Sequence, residues 1–198
     1  MNRDQLVRCA WPISDSRSGK IHTDKMVRYH DTEWGVPIHD DSRLFEHLTL
    51  GGAQAGLSWS TVFNKREAYR VAFEGFEIGA VARFSDQRVE QLLQDPGIIR
   101  NRQKILSAIH NAKAAARIQD ECGSFGSYLW DFVDGVPVKN AHKTLSDLPA
   151  TDGVSDLLSA DLIYHGFSFV GSTICYAFMQ AVGMVNDHTV ACFRYNAV

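Results

Sequence analysis

The chain has 198 residues, of which 45% are hydrophobic and 22% are charged, and its formal net charge is -3 at pH 7. This is an ordinary globular composition, and we expect residues 1–198 to form a single domain. The composition excludes a membrane-spanning protein, because no apolar run approaches the roughly 20 residues that a span requires. It also excludes a strongly basic protein, so any binding of nucleic acid must use a local basic surface.

The N-terminal sequence and the cysteine content point to a cytoplasmic protein. No apolar stretch follows the first five residues, so we predict no secretory signal. The four cysteines, Cys9, Cys122, Cys175 and Cys192, are widely separated in the sequence. In a cytosolic chain of this size, such cysteines bind a metal or lie buried more often than they form disulfides.

The first half of the chain is predicted to be helical from Asp40 onward. Asp40 precedes apolar residues at helical spacing and therefore starts a helix. Ser58 caps a second helix that ends near Gly75, and Ser85 caps a third that stops before Pro96. The longest helix covers residues 99–118 and buries one apolar face.

The second half continues the helical pattern and shows no sustained β-strand alternation. Asp152 caps a helix that ends at Gly166, a short turn follows, and Ser172 starts an apolar helix that ends at Gly183. Asp187 is predicted to start a last short helix. The predicted fold class is therefore all-α, a compact orthogonal helical domain.

His188 and Cys192 form the strongest local metal-ligand pattern. Their i, i+4 spacing places both side chains on one face of the predicted last helix, within reach of one ion. Cys9 and His30, near the other end of the chain, could complete a tetrahedral Cys₂His₂ site. The alternative is that the cysteines are small buried hydrophobic residues, and the spacing alone leaves both interpretations open.

Two further features have both a functional and a structural interpretation. The turn Gly166–Gly171, between two predicted helices, could hold a phosphate on its backbone N–H groups or simply connect the helices. The aromatic residues Trp11, Tyr29, Trp34 and Trp59 could stack on a planar base or belong to the core. The residues alone do not decide between these interpretations.

Six segments together resemble the bacterial 3-methyladenine DNA glycosylase I family. They occur in the family's order and cover nearly the whole chain, and the second and third are the most specific. The segments are Arg8-Cys9-Ala-Trp11, Tyr29-His30-Asp-Thr-Glu-Trp34-Gly-Val-Pro37, Gln54-Ala-Gly-Leu-Ser-Trp59, Gly97-Ile-Ile-Arg-Asn-Arg102, Gly166-Phe-Ser-Phe-Val-Gly171 and Asn186-Asp-His188.

The resemblance implies a helix-hairpin-helix glycosylase fold that contains a zinc site. Zn²⁺ would be held by Cys9, His30, His188 and Cys192 and would join the N- and C-terminal segments. Because such a site brings the two ends of the chain together, the metal would contribute to folding.

The resemblance also implies that a damaged base is rotated out of duplex DNA into an aromatic pocket. Trp59 would stack on the base, and Leu57 would fill the vacated gap as a wedge. The pocket would be formed by Trp11, Tyr29, Trp34, Gly51 and Trp59. Contacts to DNA would come from Gln54, Gly56, Leu57, Gly166, Val170 and Gly171.

One departure from the family pattern matters for recognition of the base. The family carries a glutamate three residues before the Gln of Gln-Ala-Gly-Leu-Ser-Trp, where it accepts hydrogen bonds from adenine, whereas this chain has Gly51. Glu46 is five residues upstream and would lie on a different helix face. Asn186 takes the place of the catalytic aspartate of other helix-hairpin-helix glycosylases, with Asp187 capping the last helix. No catalytic residue is therefore assigned.

The predicted function is base-excision repair of alkylated, double-stranded DNA by a monomer. The reaction is hydrolysis of the N-glycosidic bond of alkylated purines, with reduced or altered base choice because of Gly51. A cationic base leaves readily, so selective binding, including its attraction to aromatic faces, matters more than a strong general acid. Two alternatives remain: a non-catalytic zinc-stabilised DNA-binding relative, and a zinc-stabilised helical domain with no role in nucleic-acid binding.

Overall fold

The computed structural model describes residues 6–12 and 24–198, and the first five residues, where no signal was predicted, lie outside this range. No helix in the described part is long and apolar enough to cross a membrane. The described helices are α1 (Asp24–Thr32), α2 (Asp41–Gln54), α3 (Trp59–Phe63), α4 (Arg66–Ala72), α5 (Ile78–Ala82), α6 (Asp86–Gln94), α7 (Arg102–Cys122), α8 (Phe125–Asp131), α9 (Gly153–Tyr164) and α10 (Ser172–Ala181). In the described residues, two short 3₁₀ turns cover Glu74–Phe76 and Leu145–Asp147.

The predicted helix starts at Asp40, Ser58, Ser85 and Asp152 are confirmed. In each case the side-chain oxygen accepts a hydrogen bond from the backbone N–H three residues later. This bond satisfies one of the N–H groups that have no partner within a helix's first turn. The local sequence therefore determines where these helices begin.

Two predicted helices have different bounds. The helix expected after Ser58 is divided into α3 and α4, because the chain turns at Asn64 and Lys65. The new direction brings Arg66 Nε to 2.5 Å from the buried carboxylate of Glu46. The long helix α7 begins at Arg102, with Asn101 as its N-cap, and not at residue 99. Helices α1, α5 and α8 were not predicted.

The predicted last helix is absent, because Asp187 does not act as a cap. Its carboxylate is buried and accepts hydrogen bonds of 2.7 Å from Tyr176 Oη, Gln180 Nε2 and Asn140 Nδ2. Because the oxygens of Asp187 accept these bonds, they do not cap a helix, and the chain from residue 187 to the C-terminus contains no helix. The placement of His188 and Cys192 on one helix face is therefore wrong.

A small parallel sheet, which the sequence did not predict, precedes these turns. Strand β1 (Val138–Lys139) pairs with β2 (Val185–Asn186), with Val138 opposite Val185. Two residues are too few to show the alternation by which strands are recognised in a sequence. The pairing fixes the backbone immediately before His188.

Helix α10 packs against both α2 and α9. The apolar residues of α2 are fully buried: Leu44, Phe45, Leu48 and Leu50 are at most 1% exposed. Gly183, at the end of α10, has φ +76°, and a Cβ there would lie 2.5 Å from Pro37 N. This close approach brings the end of α10 against the segment that follows Trp34.

Candidate active site and metal centre

Cys9, His30, His188 and Cys192 converge in one buried cluster. Their ligand atoms all lie within 4.8 Å of one another. His30 Nε2 is 3.5 Å from Cys192 Sγ, and His188 Nδ1 is 3.6 Å from both sulfurs. The tertiary fold therefore joins these residues from both ends of the chain, although neither His188 nor Cys192 lies on a helix.

The ring nitrogens that face the sulfurs carry lone pairs. His30 donates its Nδ1–H to Asp31 Oδ1 at 2.9 Å, and His188 donates its Nε2–H to Trp34 O at 3.1 Å. Both partners can only accept, so the tautomer of each ring is fixed. The nitrogens left for the cluster are His30 Nε2 and His188 Nδ1, in the form that binds a metal.

The cluster has the dimensions and chemistry of a tetrahedral metal site. With Zn–N near 2.0–2.1 Å and Zn–S near 2.3 Å, a tetrahedral ion separates nitrogen and sulfur ligands by about 3.6 Å. The three nitrogen–sulfur separations of 3.5–3.6 Å match that value. The hydrogen bond between the two thiols lowers the pKa of Cys192 and raises that of Cys9, so Cys192 is the thiolate of the pair. The four residues therefore fit a Cys₂His₂ site for one metal ion.

A cavity of about 240 Å³ lies beside this cluster. Two of its wall residues pack against the cluster's histidines: the Trp34 and His188 rings are 4.6 Å apart, and the Trp11 and His30 rings are 5.5 Å apart. A stable cluster therefore holds one wall of the cavity. The cavity is lined by Trp11, Tyr29, Trp34, His47, Gly51, Gln54, Trp59, Leu145, Leu148, Ala177, Phe178, Gln180 and Ala181.

The four aromatic residues singled out in the sequence all line this cavity. Trp11 contacts Trp34 edge to face, with ring centroids 5.0 Å apart, and Tyr29 contacts Trp59 at 6.0 Å. Burial raises the pKa of Tyr29, so its phenol stays protonated at neutral pH. The arrangement gives the cavity several aromatic faces and a polar hydroxyl, which suits a flat heteroaromatic ligand.

The described part of the cavity wall contains no carboxylate. Glu46 is not in the wall, because Arg66 and Arg70 bind its Oε1 at 2.5 and 3.0 Å. The polar side chains of the wall include His47 and Gln180, neither of which was predicted. The spacing of His47 four residues before Gly51 could have identified it, because both positions share a helix face.

The two adjacent glycines of α2 have different surroundings. A Cβ on Gly52 would lie 3.2 Å from Phe169 Cβ and 3.3 Å from Phe169 O, so this glycine lets the α9–α10 turn approach. A Cβ on Gly51 would meet only Ile174 Cγ2, at 3.3 Å. Gly51 also lines the cavity, and it therefore leaves space where a side chain could reach the ligand.

The turn Gly166–Gly171 connects α9 to α10, and a side chain of α7 binds its backbone. Asn111 accepts from Ser168 N at 2.9 Å and donates to Ser168 O at 3.0 Å. Gly166 has φ +91° and Gly171 is the exposed N-cap of α10. The Val170 side chain is buried at 2% exposure, so only its backbone remains for the predicted contact with DNA.

The loop between α2 and α3 presents an apolar side chain to solvent. Leu57 is 40% exposed, and Gly56 turns the chain before it with φ +76°. Lys104 holds the start of the loop, donating to Ala53 O at 2.8 Å and to Ala55 O at 2.6 Å. Gln54, the last residue of α2, lines the cavity, so one short segment links the exposed leucine to the cavity.

Solved structures share this fold over most of their length. A crystal structure of 3-methyladenine DNA glycosylase I matches with a TM-score of 0.87 and 44% identity, covering 94% of this chain and 98% of that one. A variant of 3-methyladenine DNA glycosylase I in complex with 3-methyladenine matches with a TM-score of 0.86 and 33% identity, covering 94% and 96%.

Sequence comparisons identify the family. The chain is 46% identical over 190 residues to the DNA-3-methyladenine glycosylase 1 of Escherichia coli (strain K12), covering 96% of this chain and 97% of the relative. It is 41% identical over 186 residues to the DNA-3-methyladenine glycosylase of Haemophilus influenzae, covering 93% and 96%. The family model described as methyladenine glycosylase matches residues 20–195. The chain therefore belongs to the methyladenine glycosylase family.

Proposed function

We propose that this protein is a cytoplasmic, monomeric DNA glycosylase that removes alkylated purines from double-stranded DNA, with the whole chain forming one domain. The observation that carries the proposal is the cavity lined by Trp11, Tyr29, Trp34 and Trp59, in a chain of this family. A flipped base would enter this cavity and stack on Trp59. The relatives' names support alkylated purines as the substrate class.

The proposed reaction is hydrolysis of the bond between C1′ of the deoxyribose and N9 of the purine. The base leaves with the bonding electron pair, which neutralises its positive charge, and water adds to C1′ and releases a proton to the solvent. Because the leaving group is already cationic, the protein needs to bind and orient it more than to protonate it. Each aromatic face that meets the cation contributes about 0.5–2 kcal/mol, and the absence of a carboxylate from the described wall is compatible with this route.

The DNA would be held on the side of the molecule that carries the α9–α10 turn and the α2–α3 loop. The turn Gly166–Gly171 would serve as the hairpin of a helix-hairpin-helix element and bind a phosphate through its backbone N–H groups. Leu57 would enter the gap that the flipped base leaves, and Gln54 would lie at the cavity entrance. The 40% exposure of the apolar Leu57 side chain on this loop supports the assignment.

The buried Cys–His cluster is proposed to bind one structural zinc ion. Zn²⁺ would be held by Cys9, His30, His188 and Cys192 and would supply no step of the reaction. The nitrogen–sulfur separations and the fixed histidine tautomers support this choice. The ion would keep Trp34 against His188 and thereby stabilise the cavity wall.

The test of the function is chromatography of the bases released from methylated duplex DNA. Release of free alkylated purine by the protein, at a rate above that of spontaneous depurination, is the expected result. A Trp59→Ala variant with unchanged circular dichroism provides the control, because it should lose base capture while it keeps its fold. No release at any enzyme excess would contradict the proposal.

A second candidate is a non-catalytic protein that binds damaged DNA. The specific observation in its favour is that Gly51 stands where the family carries a carboxylate and that no described wall residue supplies another. Such a protein would bind duplex DNA containing an abasic analogue in a salt-dependent manner but release no base. The chromatographic experiment distinguishes the two candidates directly.

A further inference from the structure

The two backbone segments that would meet DNA, the α2–α3 loop and the α9–α10 turn, are both bound by side chains of α7. Lys104 Nζ donates to Ala53 O at 2.8 Å and to Ala55 O at 2.6 Å. Asn111 donates to Ser168 O at 3.0 Å and accepts from Ser168 N at 2.9 Å. We propose that Lys104 and Asn111 are positioning residues, which use α7 as a rigid spacer between the loop and the turn. The inference rests on the proposed function and adds the residues that orient its DNA-binding elements.

Helix α7 has the geometry of a spacer. Residues seven positions apart lie on the same face of a helix, so Lys104 and Asn111 leave α7 on one side, about 10 Å apart along its axis. The helix covers Arg102–Cys122 and packs against α2, α5, α6 and α8. Because close packing on several sides leaves a helix little room to shift, the interval between its two side chains is fixed.

The hydrogen bonds of Lys104 order an exposed loop. Carbonyl groups at the end of a helix have no partner within it, and Lys104 supplies one at the end of α2. Ordering a long lysine side chain costs rotamer entropy. The loop that receives this anchor is exposed from Gly56 to Ser58 and adds none of these residues to the core. The anchor therefore serves the conformation of the loop more than the stability of the core.

The loop and the turn also meet at α2. Gly52 lets the turn approach, since a Cβ there would lie 3.2 Å from Phe169 Cβ. Gly52 precedes the carbonyls that Lys104 binds, so the turn lies against the same end of α2. Three contacts thus close a ring: Lys104 joins α7 to the loop, Asn111 joins α7 to the turn, and Phe169 joins the turn to α2.

A fixed interval matters because two contacts on one duplex assist each other only when both fit at once. After the first contact has formed, the second is intramolecular, and its effective concentration falls when the spacing does not match. Leu57 would enter the base stack while the turn binds a phosphate of the same duplex. Loss of either anchor should therefore remove this assistance, and loss of the second anchor should then add little.

The test is a double-mutant cycle on the binding of the full chain to a duplex that contains an abasic analogue. Lys104→Met removes the donors at a similar side-chain length, and Asn111→Leu removes both bonds to Ser168. We expect each variant to weaken binding about tenfold and the double variant about tenfold to thirtyfold. Separate sites without shared partners act additively, which would give about a hundredfold. Additive losses, or no loss in either single variant, would overturn the inference.

The salt dependence of binding distinguishes positioning from direct contact with phosphate. A lysine that binds a phosphate adds about 0.9 to the slope of log affinity against log salt concentration. Because Lys104 gives its hydrogens to two carbonyls, Lys104→Met should lower the affinity and leave the slope unchanged. A slope that falls by about 1 would overturn the positioning role. Lys104→Arg, whose guanidinium can donate to both carbonyls, should recover most of the affinity.

Lys113→Met is the matched control, because it removes the same charge from an exposed position on α7. Combined with Asn111→Leu, it should show additive effects; coupling as large as that of Lys104→Met would overturn the assignment to Lys104. Circular dichroism checks the fold of each variant. If Asn111→Leu does not fold, Asn111→Ala removes the same two bonds and takes its place in the cycle.

Release of base from methylated duplex DNA by the parent protein tests the proposed function separately. A parent that releases base, together with additive losses in the cycle, would refute the spacer and leave the glycosylase function intact. A parent that releases no base, together with coupled losses in binding, would refute the glycosylase function and support the spacer. A parent that binds no duplex would overturn both.

Discussion

A single carboxylate introduced at residue 51 should change which base the protein releases. In a Gly51→Glu variant, the new side chain can accept a hydrogen bond from the 6-amino group of adenine. A hydrogen bond to a charged group contributes about 1.5–3 kcal/mol, which corresponds to about tenfold to a hundredfold in rate if the bond forms in the transition state. We expect the lower end of this range for 3-methyladenine, because His47 Nδ1–H, one turn earlier, also donates to the carboxylate.

The stability of the variant should stay close to that of the parent. Replacing a glycine within α2 favours the helix by about 0.5–1 kcal/mol. The added Cβ meets Ile174 Cγ2 at 3.3 Å, so this methyl group must move by a few tenths of an ångström, which offsets part of the gain. A change in release rate can therefore be attributed to the carboxylate and not to the fold.

The assay is single-turnover release of 3-methyladenine from methylated duplex DNA, with parent and variant in equal excess. Gly51→Ala is the matched control, since it adds the Cβ and the helix propensity without the acceptor, and it should release the base at the parent's rate or more slowly. If Gly51→Glu is no faster than Gly51→Ala, the carboxylate has no role in this cavity and the reasoning is refuted.

Three further predictions concern the metal, the wedge and the hairpin. Cys192→Ser should lower both the zinc content and the melting temperature, because the ion joins the two ends of the chain; retention of one tightly bound zinc per chain would contradict the assignment. Leu57→Ala should weaken binding to duplex DNA containing an abasic analogue by about 1–2 kcal/mol, whereas Leu157→Ala, at a more exposed leucine on α9 (67% against 40%), should not, and equal effects would exclude the wedge. Asn111→Leu leaves the N–H and C=O of Ser168 without their partner, at a cost of about 1–3 kcal/mol, so DNA affinity should fall while the binding of free base stays unchanged; a parallel loss of both would indicate general unfolding.

The local parts of the fold could be predicted from the sequence, and the tertiary parts could not. A cap such as Asp40 satisfies backbone N–H groups within its own turn, so the residue type alone marks the start of the helix. Asp187 has the same residue type but is buried, and its oxygens are taken by Tyr176, Gln180 and Asn140. Only the packed structure reveals that competition, and for this reason the predicted last helix is wrong.

The candidate site shows the same division between local pattern and tertiary contact. Four aromatic residues of the cavity, Trp11, Tyr29, Trp34 and Trp59, were named from the sequence and assigned to a pocket by the family resemblance, whereas Phe178 was missed. His47 was missed, because a histidine on a buried helix face carries no motif of its own. The tautomer of His47 depends on Arg66, 19 residues away in the sequence. Because the guanidinium can only donate, His47 Nε2 must accept. This contact depends on the tertiary placement of Arg66, the first residue of α4, beside the middle of α2, and the sequence of neither helix indicates it.

The pair of positions 47 and 51 should behave as one unit. The carboxylate of Gly51→Glu lies over the residue-47 turn and can be occupied by His47 Nδ1–H, so part of its capacity to accept from adenine is lost. Removing that donor frees the carboxylate, and the double variant His47→Leu with Gly51→Glu should release 3-methyladenine faster than Gly51→Glu alone. His47→Leu alone provides no acceptor and should change this release less. In a double-mutant cycle on the release rate, the two substitutions should therefore couple by about 0.5–3 kcal/mol, as residues in contact do. Strict additivity of the two rate changes would mean that position 51 does not cover the histidine, and that His47 and Gly51 act on the base independently.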